Sequence, residues 1–165
     1  MRYRTLGRTD LEVSEVGFEG IPIQKIGMDE AVQAVEKALN LGVNYIDTAR
    51  SYTDSEEKIA RTIQGRRDEC RLATKTNKRV REEVEKELAT SSRVLGTSRL
   101  DVYHLHSVGD GETLGRILAP GDPSARKIDL KASGLVIPCA HAPECSVLNW
   151  KSDGSVVLSR FFVDD

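Results

Sequence analysis

The sequence predicts an α/β protein built on a parallel β-sheet, and three observations lead to this fold class. The chain has 165 residues, a length typical of a single domain, so we treat residues 1–165 as one domain. Its 39% hydrophobic and 30% charged residues are typical of a soluble globular protein. Between residues 29 and 106, a unit of helix, glycine, strand and polar residue occurs three times. Strands that alternate with helices at about 30 residues per unit pair in parallel, because a helical crossover returns the chain in the same direction.

The first unit begins with a helix and ends at an acidic residue. Residues 29–41 carry apolar side chains at helical spacing, and Gly42 follows them. A glycine at this position suits the left-handed turn that often ends a helix. A short apolar stretch at 43–46 then predicts a strand that leads into Asp47.

The second unit repeats this order and ends at a basic residue. Residues 53–56 match the pattern of a capping box, which predicts the start of a helix. The apolar face of this helix continues as far as Gly65. Residues 70–74 then predict a strand that leads into Lys75.

The third unit ends at a histidine. Gly96 closes its helix, and residues 100–105 predict a strand that leads into His106. The apolar stripe of this helix consists of Val80, Val84, Leu88 and Leu95.

Three ionisable side chains therefore stand at the ends of successive predicted strands. Asp47, Lys75 and His106 are 28 and 31 residues apart. In a (β/α)8 barrel such strand ends share one rim, where catalytic residues lie. In an open doubly wound sheet the same ends border the ligand crevice, so the spacing alone leaves both architectures open. Residues 17–22 lack the glycine fingerprint of a dinucleotide-binding fold, which favours the barrel.

Charge and hydropathy argue against several classes of partner. With 24 Lys and Arg against 26 Asp and Glu, the formal net charge is -2, which gives no general attraction to nucleic acid or to an anionic membrane. The basic side chains between residues 61 and 81 have no interleaved stacking aromatics, so we interpret them as a solvated face. No apolar run reaches the ~18 residues of a membrane helix, and residues 1–8 contain no apolar core of a secretory signal. We expect a cytoplasmic protein without nucleic-acid or membrane partners.

The cysteines predict neither a disulfide framework nor a metal centre. Cys70, Cys139 and Cys145 are an odd number, and none belongs to a Cys-x-x-Cys pair. Cys139, His141 and Cys145 bring soft ligands together, but a structural zinc site needs four ligands and no second pair exists. We therefore expect ordinary loop residues here and no bound metal.

These segments make the sequence resemble the aldo-keto reductases. Residues 11–18 are similar to that family's approach to its first barrel strand. Residues 44–56 resemble its best-known signature, with the run Asn-Tyr-Ile-Asp-Thr-Ala, then Ser-Tyr, then Asp-Ser-Glu. Residues 72–76 and 100–106 follow in the expected order and at the expected distances. The strong resemblance covers residues 1 to about 120.

The resemblance implies a partial (β/α)8 TIM barrel of about the first five to six βα units, with an N-terminal β-hairpin. Residues 134–137 weakly match the fifth strand and residues 154–162 the sixth. Residues 145–153 lack the helical stripe that the family has between them. We expect residues 121–165 to be a divergent tail of an incomplete domain, because a complete barrel needs about 200 residues.

The resemblance also implies a catalytic tetrad of Asp47, Tyr52, Lys75 and His106. Tyr52 would be the general acid that protonates the substrate oxygen, and a neighbouring Lys75 ammonium is expected to lower the pKa of the Tyr52 phenol. Asp47 would hold Lys75 charged and oriented, and His106 would donate a hydrogen bond to the same oxygen. His104 shares the strand face of His106, but the strand-end position and the motif select His106.

The implied function is NADPH-dependent reduction of aldehydes or ketones to alcohols, with a small carbonyl compound as substrate. Gly20, Ile21 and Asp47 are the expected cofactor-binding residues, and Glu19 stands where the family usually has a small residue. The alternative is a truncated, catalytically inactive half-barrel that self-associates through exposed strand edges. A (β/α)-type phosphate-binding protein with different chemistry ranks below both.

Overall fold

The computed structural model describes residues 1–6, 9, 11–108 and 112, together with strands at 135–137, 144–150 and 156–162. Strands β1 (Tyr3–Thr5) and β2 (Glu12–Ser14) pair antiparallel and form the predicted hairpin. A second sheet begins with strands that all pair in parallel: β3 (Gly17–Glu19), β4 (Tyr45–Asp47), β5 (Arg71–Thr76), β6 (Val102–Leu105) and β7 (Leu135–Ile137). This part of the chain has the predicted fold class, a partial α/β barrel.

Helices alternate with the parallel strands, as the sequence predicts. They are α1 (Met28–Asn40), α2 (Ser55–Ile63) and α3 (Arg81–Val94). Gly42 ends α1 with a φ of 88° and Gly96 follows α3 with a φ of 64°, conformations that only glycine adopts without steric cost. Across the described ranges, the helices are all too short or too polar to span a membrane.

The main hydrophobic core lies between the parallel sheet and the helices. In this core, buried side chains of α1 and α2 join one buried residue from each of β4, β5 and β6: Ala31, Val35, Leu39, Ile59, Ile63, Ile46, Leu72 and Tyr103. A smaller cluster covers the opposite face, where Leu6 and Val13 of the hairpin segment pack on Ala73 and Val102. Asn44, which precedes β4, accepts a hydrogen bond from the Ser14 backbone N–H at 2.6 Å. The hairpin is therefore attached at the amino end of β4, away from the strand ends that carry the polar residues.

Two helix starts differ from the sequence-based expectations. The capping box expected at residues 53–56 does not form, because the N-cap of α2 is Asp54 and it makes no side-chain capping bond. The Glu56 carboxylate, which a capping box would turn back to the helix start, is instead buried and bonded elsewhere. Val80 does not join the apolar stripe of α3, since it is the N-cap residue and is 53% exposed.

The strands beyond residue 134 confirm one expectation and correct another. β7 lies parallel to β6, where the fifth strand was expected. The next strand, β8 (Glu144–Trp150), pairs antiparallel with β7, and β9 (Val156–Phe162) pairs antiparallel with β8. Residues 154–162 therefore do not supply a sixth parallel strand. The connection from residue 137 to residue 144 is too short for the helical crossover that parallel pairing requires.

Candidate active site

The carboxyl ends of β4, β5 and β6 form one rim, and the four residues of the expected tetrad meet there. Asp47 is the last residue of β4, and Lys75 lies near the end of β5. His106 directly follows β6, where its backbone N–H donates to the Thr76 carbonyl at 2.8 Å. Tyr52 reaches the rim from the loop between β4 and α2. We call this group of four side chains the rim cluster.

Lys75 is the centre of the rim cluster. Its Nζ lies 2.8 Å from Asp47 Oδ2, and it donates to the Thr48 carbonyl at 3.0 Å and to the Tyr52 hydroxyl at 3.4 Å. The same ammonium lies 4.8 Å from the centroid of the Tyr52 ring. Lys75 is only 5% exposed, so these oxygen atoms replace the water that the ammonium loses on folding.

His106 lies on the other side of Tyr52. The two rings are 5.5 Å apart and nearly perpendicular, and His106 Nδ1 is 3.2 Å from Ser51 Oγ. His104 is buried within the sheet instead, with its Nε2 3.3 Å from the Tyr45 hydroxyl. The geometry thus puts His106 beside Tyr52, and its catalytic role stays a prediction.

Burial and charge together set the ionisation of Asp47 and Lys75. Burial raises the pKa of Asp47 to about 6, although the Lys75 ammonium opposes the rise. Burial alone would lower the pKa of Lys75, but the charge and hydrogen bond of Asp47 outweigh it and raise that pKa above its usual range. At neutral pH the pair therefore consists of a carboxylate and an ammonium.

The pKa of Tyr52 differs from the sequence-based expectation. Burial raises the pKa of the phenol above its ordinary value, and the neighbouring Lys75 offsets only part of that rise. The expected lowering of the Tyr52 pKa is therefore wrong, because the phenol is buried as well as close to a cation. Burial lowers the pKa of His106, and the positive charges of Lys75 and Arg79 lower it further.

A buried carboxylate that the sequence reasoning missed holds the loop that carries Tyr52. Glu56 is 1% exposed, and its Oε1 accepts a hydrogen bond from Thr74 Oγ1 at 2.8 Å. Its other oxygen forms an ion pair with Arg50, whose backbone N–H donates to the Lys75 carbonyl at 3.1 Å. Glu56 is the last residue of the signature at residues 44–56. Its position in that motif was the one signal in the sequence that could have indicated a role at the site.

The expected cofactor-binding residues occupy different environments. Gly20 is buried, its N–H donates to the Asp47 carbonyl at 2.8 Å, and its carbonyl accepts from Ser55 Oγ at 3.0 Å. Ile21 is 44% exposed beside the rim, and Asp47 is bound to Lys75. Contact of these residues with a cofactor stays a prediction. Cys145 lies in β8, so the expectation that it is a loop residue is wrong, and the cysteine and histidine at positions 139 and 141 lie outside the described residues.

The match to a known family covers the segments that build this rim. The model of the Aldo/keto reductase family matches residues 16–117, which is more than half of the chain. The chain belongs to the aldo/keto reductase family. This membership supports a general oxidoreductase role and agrees with the partial barrel.

Individual aldo/keto reductases and a related oxidoreductase resemble the chain over much of its length. It is 35% identical over 124 residues to the "Uncharacterized oxidoreductase YqkF" of Bacillus subtilis (strain 168), covering 64% of this chain. The solved structure named "Putative aldo-keto reductase from Pseudomona aeruginosa" has the same fold, with a TM-score of 0.73 at 23% identity over 83% of this chain. The Bombyx mori aldo-keto reductase AKR2E4, solved in complex with NADP, is 28% identical with a TM-score of 0.51 over 59% of this chain.

The chain spans only part of these longer proteins. It covers 39% of the Bacillus relative, 59% of the Pseudomonas chain and 36% of the Bombyx chain. The activity of a whole aldo/keto reductase is therefore a proposal for this chain.

Proposed function

We propose that the rim cluster reduces aldehydes or ketones to alcohols with NADPH as the cofactor. One observation carries this proposal: Lys75 Nζ lies between Asp47 Oδ2, at 2.8 Å, and the Tyr52 hydroxyl, at 3.4 Å. A phenol beside a charged ammonium is suited to give a proton to an oxygen atom that becomes negative. Family membership supports the reaction class, and the NADP complex of the Bombyx relative supports the cofactor.

The donor chemistry of the rim fits the reacting end of a nicotinamide nucleotide. Such a cofactor supplies a hydride when it is bound, so the protein needs to supply a proton and to stabilise charge on the oxygen. The rim offers a phenol hydroxyl on Tyr52 and an imidazole on His106, with ring centroids 5.5 Å apart. Both donors can therefore face a single carbonyl oxygen.

Tyr52 acts as the general acid in this proposal. Because its pKa is raised, the hydroxyl is fully protonated at neutral pH before the reaction begins. The proton moves to the carbonyl oxygen as negative charge develops there, and the Lys75 ammonium stabilises the phenolate that remains. Asp47 keeps that ammonium oriented toward the phenol.

His106 acts as a neutral hydrogen-bond donor. Its lowered pKa leaves the imidazole uncharged at neutral pH. Ser51 Oγ lies 3.2 Å from Nδ1, and in this proposal its hydroxyl donates to Nδ1, so that the ring proton is on Nε2. That N–H can donate to the substrate oxygen and stabilise its developing charge.

Steady-state kinetics with NADPH and benzaldehyde test the proposal. Tyr52→Phe keeps the ring and removes the proton, so we expect turnover to fall about 10²–10⁴-fold with little change in nucleotide affinity. Tyr3→Phe is the matched control, because Tyr3 is an exposed residue of the hairpin and its hydroxyl donates to the Gly42 carbonyl at 2.8 Å. Full turnover by Tyr52→Phe would mean that another group delivers the proton. Absence of turnover in the unaltered chain would refute the proposed function.

Self-association of an inactive chain is the second candidate, and one feature favours it. Among the described strands, β3 pairs only with β4, so one of its edges carries unpaired backbone groups. Sedimentation velocity distinguishes the two candidates when it is combined with NADPH titration. Oligomers without nucleotide binding would support the second candidate, and a monomer that binds NADPH would support the first.

A further inference from the structure

The carboxylate of Glu19 lies at the rim although the proposed reaction does not use it. Glu19 is the last residue of β3, and its Cα is in register with that of Asp47 on β4. The side chain is exposed, and its Oε1 accepts a hydrogen bond from the Ile21 backbone N–H at 3.3 Å. Strand register therefore puts this carboxylate at the same strand ends as the rim cluster.

The charge of Glu19 acts on every member of the rim cluster. It contributes to raising the pKa of Asp47, Tyr52 and Lys75, and it opposes the lowering of the pKa of His106. No salt bridge neutralises it within the described part of the chain, where the Lys75 ammonium is directed to Asp47. The Glu19 carboxylate therefore adds a negative charge beside Tyr52 and His106, where Lys75 and Arg79 supply positive charge, and in the described part of the chain none of these cations is bound to it as an ion pair.

The two forms of a nicotinamide nucleotide respond differently to such a charge. In the proposed reaction, a C–H bond of the reduced ring breaks and its electron pair moves with the hydrogen to the carbonyl carbon. The Tyr52 hydroxyl gives its proton to the carbonyl oxygen, so the carbonyl is reduced and the ring is oxidised. The reduced ring is neutral and the oxidised ring is a pyridinium cation. Hydride transfer requires this ring within about 3–3.5 Å of the carbonyl carbon, so the ring must lie close to the rim cluster.

We propose that Glu19 makes this site bind the oxidised, positively charged nicotinamide more tightly relative to the neutral, reduced one. The inference rests on the proposed function, because it requires a nicotinamide nucleotide at the rim. The attraction between the carboxylate and the pyridinium is electrostatic, so it decreases with distance and with added salt. Its chemical consequence is that the bound cofactor gives up hydride more readily, which favours reduction of the carbonyl over oxidation of the alcohol.

Isothermal titration calorimetry of the 165-residue chain with NADP⁺ and with NADPH tests this inference without any turnover. We expect Glu19→Gln and Glu19→Ala to lower the ratio of the NADPH Kd to the NADP⁺ Kd by about two- to fivefold, as for a partly exposed charge pair. Two variants are used so that a folding defect in one does not decide the result. Glu12→Gln is the matched control, because Glu12 is an exposed residue of the hairpin, away from the rim.

The outcomes separate the inference from the function on which it rests. An unchanged ratio in both Glu19 variants would overturn the inference and leave cofactor binding intact. An equal shift in Glu12→Gln would also overturn it, because the effect would then come from net charge. If neither nucleotide binds to the unaltered chain or to any variant, the proposed use of NADPH is refuted, and the inference is refuted with it.

Discussion

Replacing Gly20 with alanine tests whether close packing at this position assembles the rim. An ideal Cβ on Gly20 would lie 2.5 Å from Ser55 Oγ, 2.9 Å from Thr48 Oγ1 and 3.2 Å from the Asp47 carbonyl oxygen. Two of these distances are below 3.0 Å, so a neighbour must move. Ser55 and Thr48 are both buried and bond each other at 2.9 Å, which leaves them little room. The Gly20→Ala variant should therefore be less stable.

The loss of stability has three contributions. Overpacking a buried site costs about 1–3 kcal/mol of unfolding free energy. Displacement of Ser55 also breaks its 3.0 Å bond to the Gly20 carbonyl, which is worth about 0.5–1.5 kcal/mol. The alanine offsets about 0.4–1 kcal/mol of this loss, because it lowers the conformational entropy of the unfolded chain. We expect the free energy of unfolding to fall by about 1–4 kcal/mol in urea titrations followed by circular dichroism.

Gly27→Ala is the matched control for this prediction. A Cβ at Gly27 would meet nothing within 4 Å, and its φ of -65° is open to any residue. Because Gly27 is the N-cap residue of α1, where alanine is less favourable than glycine, we expect the variant's unfolding free energy to fall by no more than about 1 kcal/mol. In a Ser55→Ala background, the cost of Gly20→Ala should shrink by more than about 0.5 kcal/mol, since the closest clash is gone. If Gly20→Ala is as stable as Gly27→Ala, the packing argument is wrong.

Three other outcomes follow from buried or partly buried ionisable groups. Folding raises the pKa of Asp47 to about 6, so the folded state holds this proton more tightly than the unfolded state. The stabilisation that this proton gives the folded state is fully present below about pH 4 and is lost by about pH 6. The free energy of unfolding should therefore fall by about 3 kcal/mol between these pH values. Asp47→Asn should abolish this fall in urea titrations across that range. Asp101→Ala should cost about 3–5 kcal/mol, because it breaks a buried ion pair of 2.5 Å with Arg67. Asp68→Ala, at a carboxylate that is 92% exposed, should cost at most about 1 kcal/mol in the same assay. A proton NMR titration of the His106 ring should give a pKa below the ordinary histidine value, and an ordinary value would contradict the burial and nearby positive charge seen at the rim.

Local signals in the sequence were enough to predict the parallel part of the fold. Gly42 and Gly96 have positive φ values and end helices where the pattern predicts it. The meeting of Asp47, Lys75 and His106 follows from topology, because parallel strands joined by helices bring their carboxyl ends together. These predictions depend on spacing along the chain, which the sequence contains directly.

Properties that depend on burial could not be predicted in this way. The sequence shows Lys75 and Tyr52 as neighbours at the rim but does not show how deeply the phenol is buried, so it gave the wrong direction for the pKa of Tyr52. Val80 matches the helical stripe in spacing, yet the helix begins one residue later and leaves it exposed. The antiparallel pairing of β8 and β9 was also missed. Residues 144–162 do not contain the repeated unit of helix, glycine and strand from which the strand direction was predicted elsewhere.

The position of Tyr52 depends on residues outside the rim cluster. Tyr52 lies on a loop that includes a strained residue, Thr53, with a φ of 40°. Glu56 fixes this loop by bonding Thr74, the residue directly before Lys75 on β5. Because α2 and β5 are joined at this point, a shift of the helix would change the 3.4 Å distance from Lys75 Nζ to the Tyr52 hydroxyl. The Tyr52 hydroxyl and the Lys75 ammonium are therefore positioned by Asp47, which bonds Lys75, and by the buried carboxylate of Glu56, which lies outside the rim cluster but within the signature at residues 44–56.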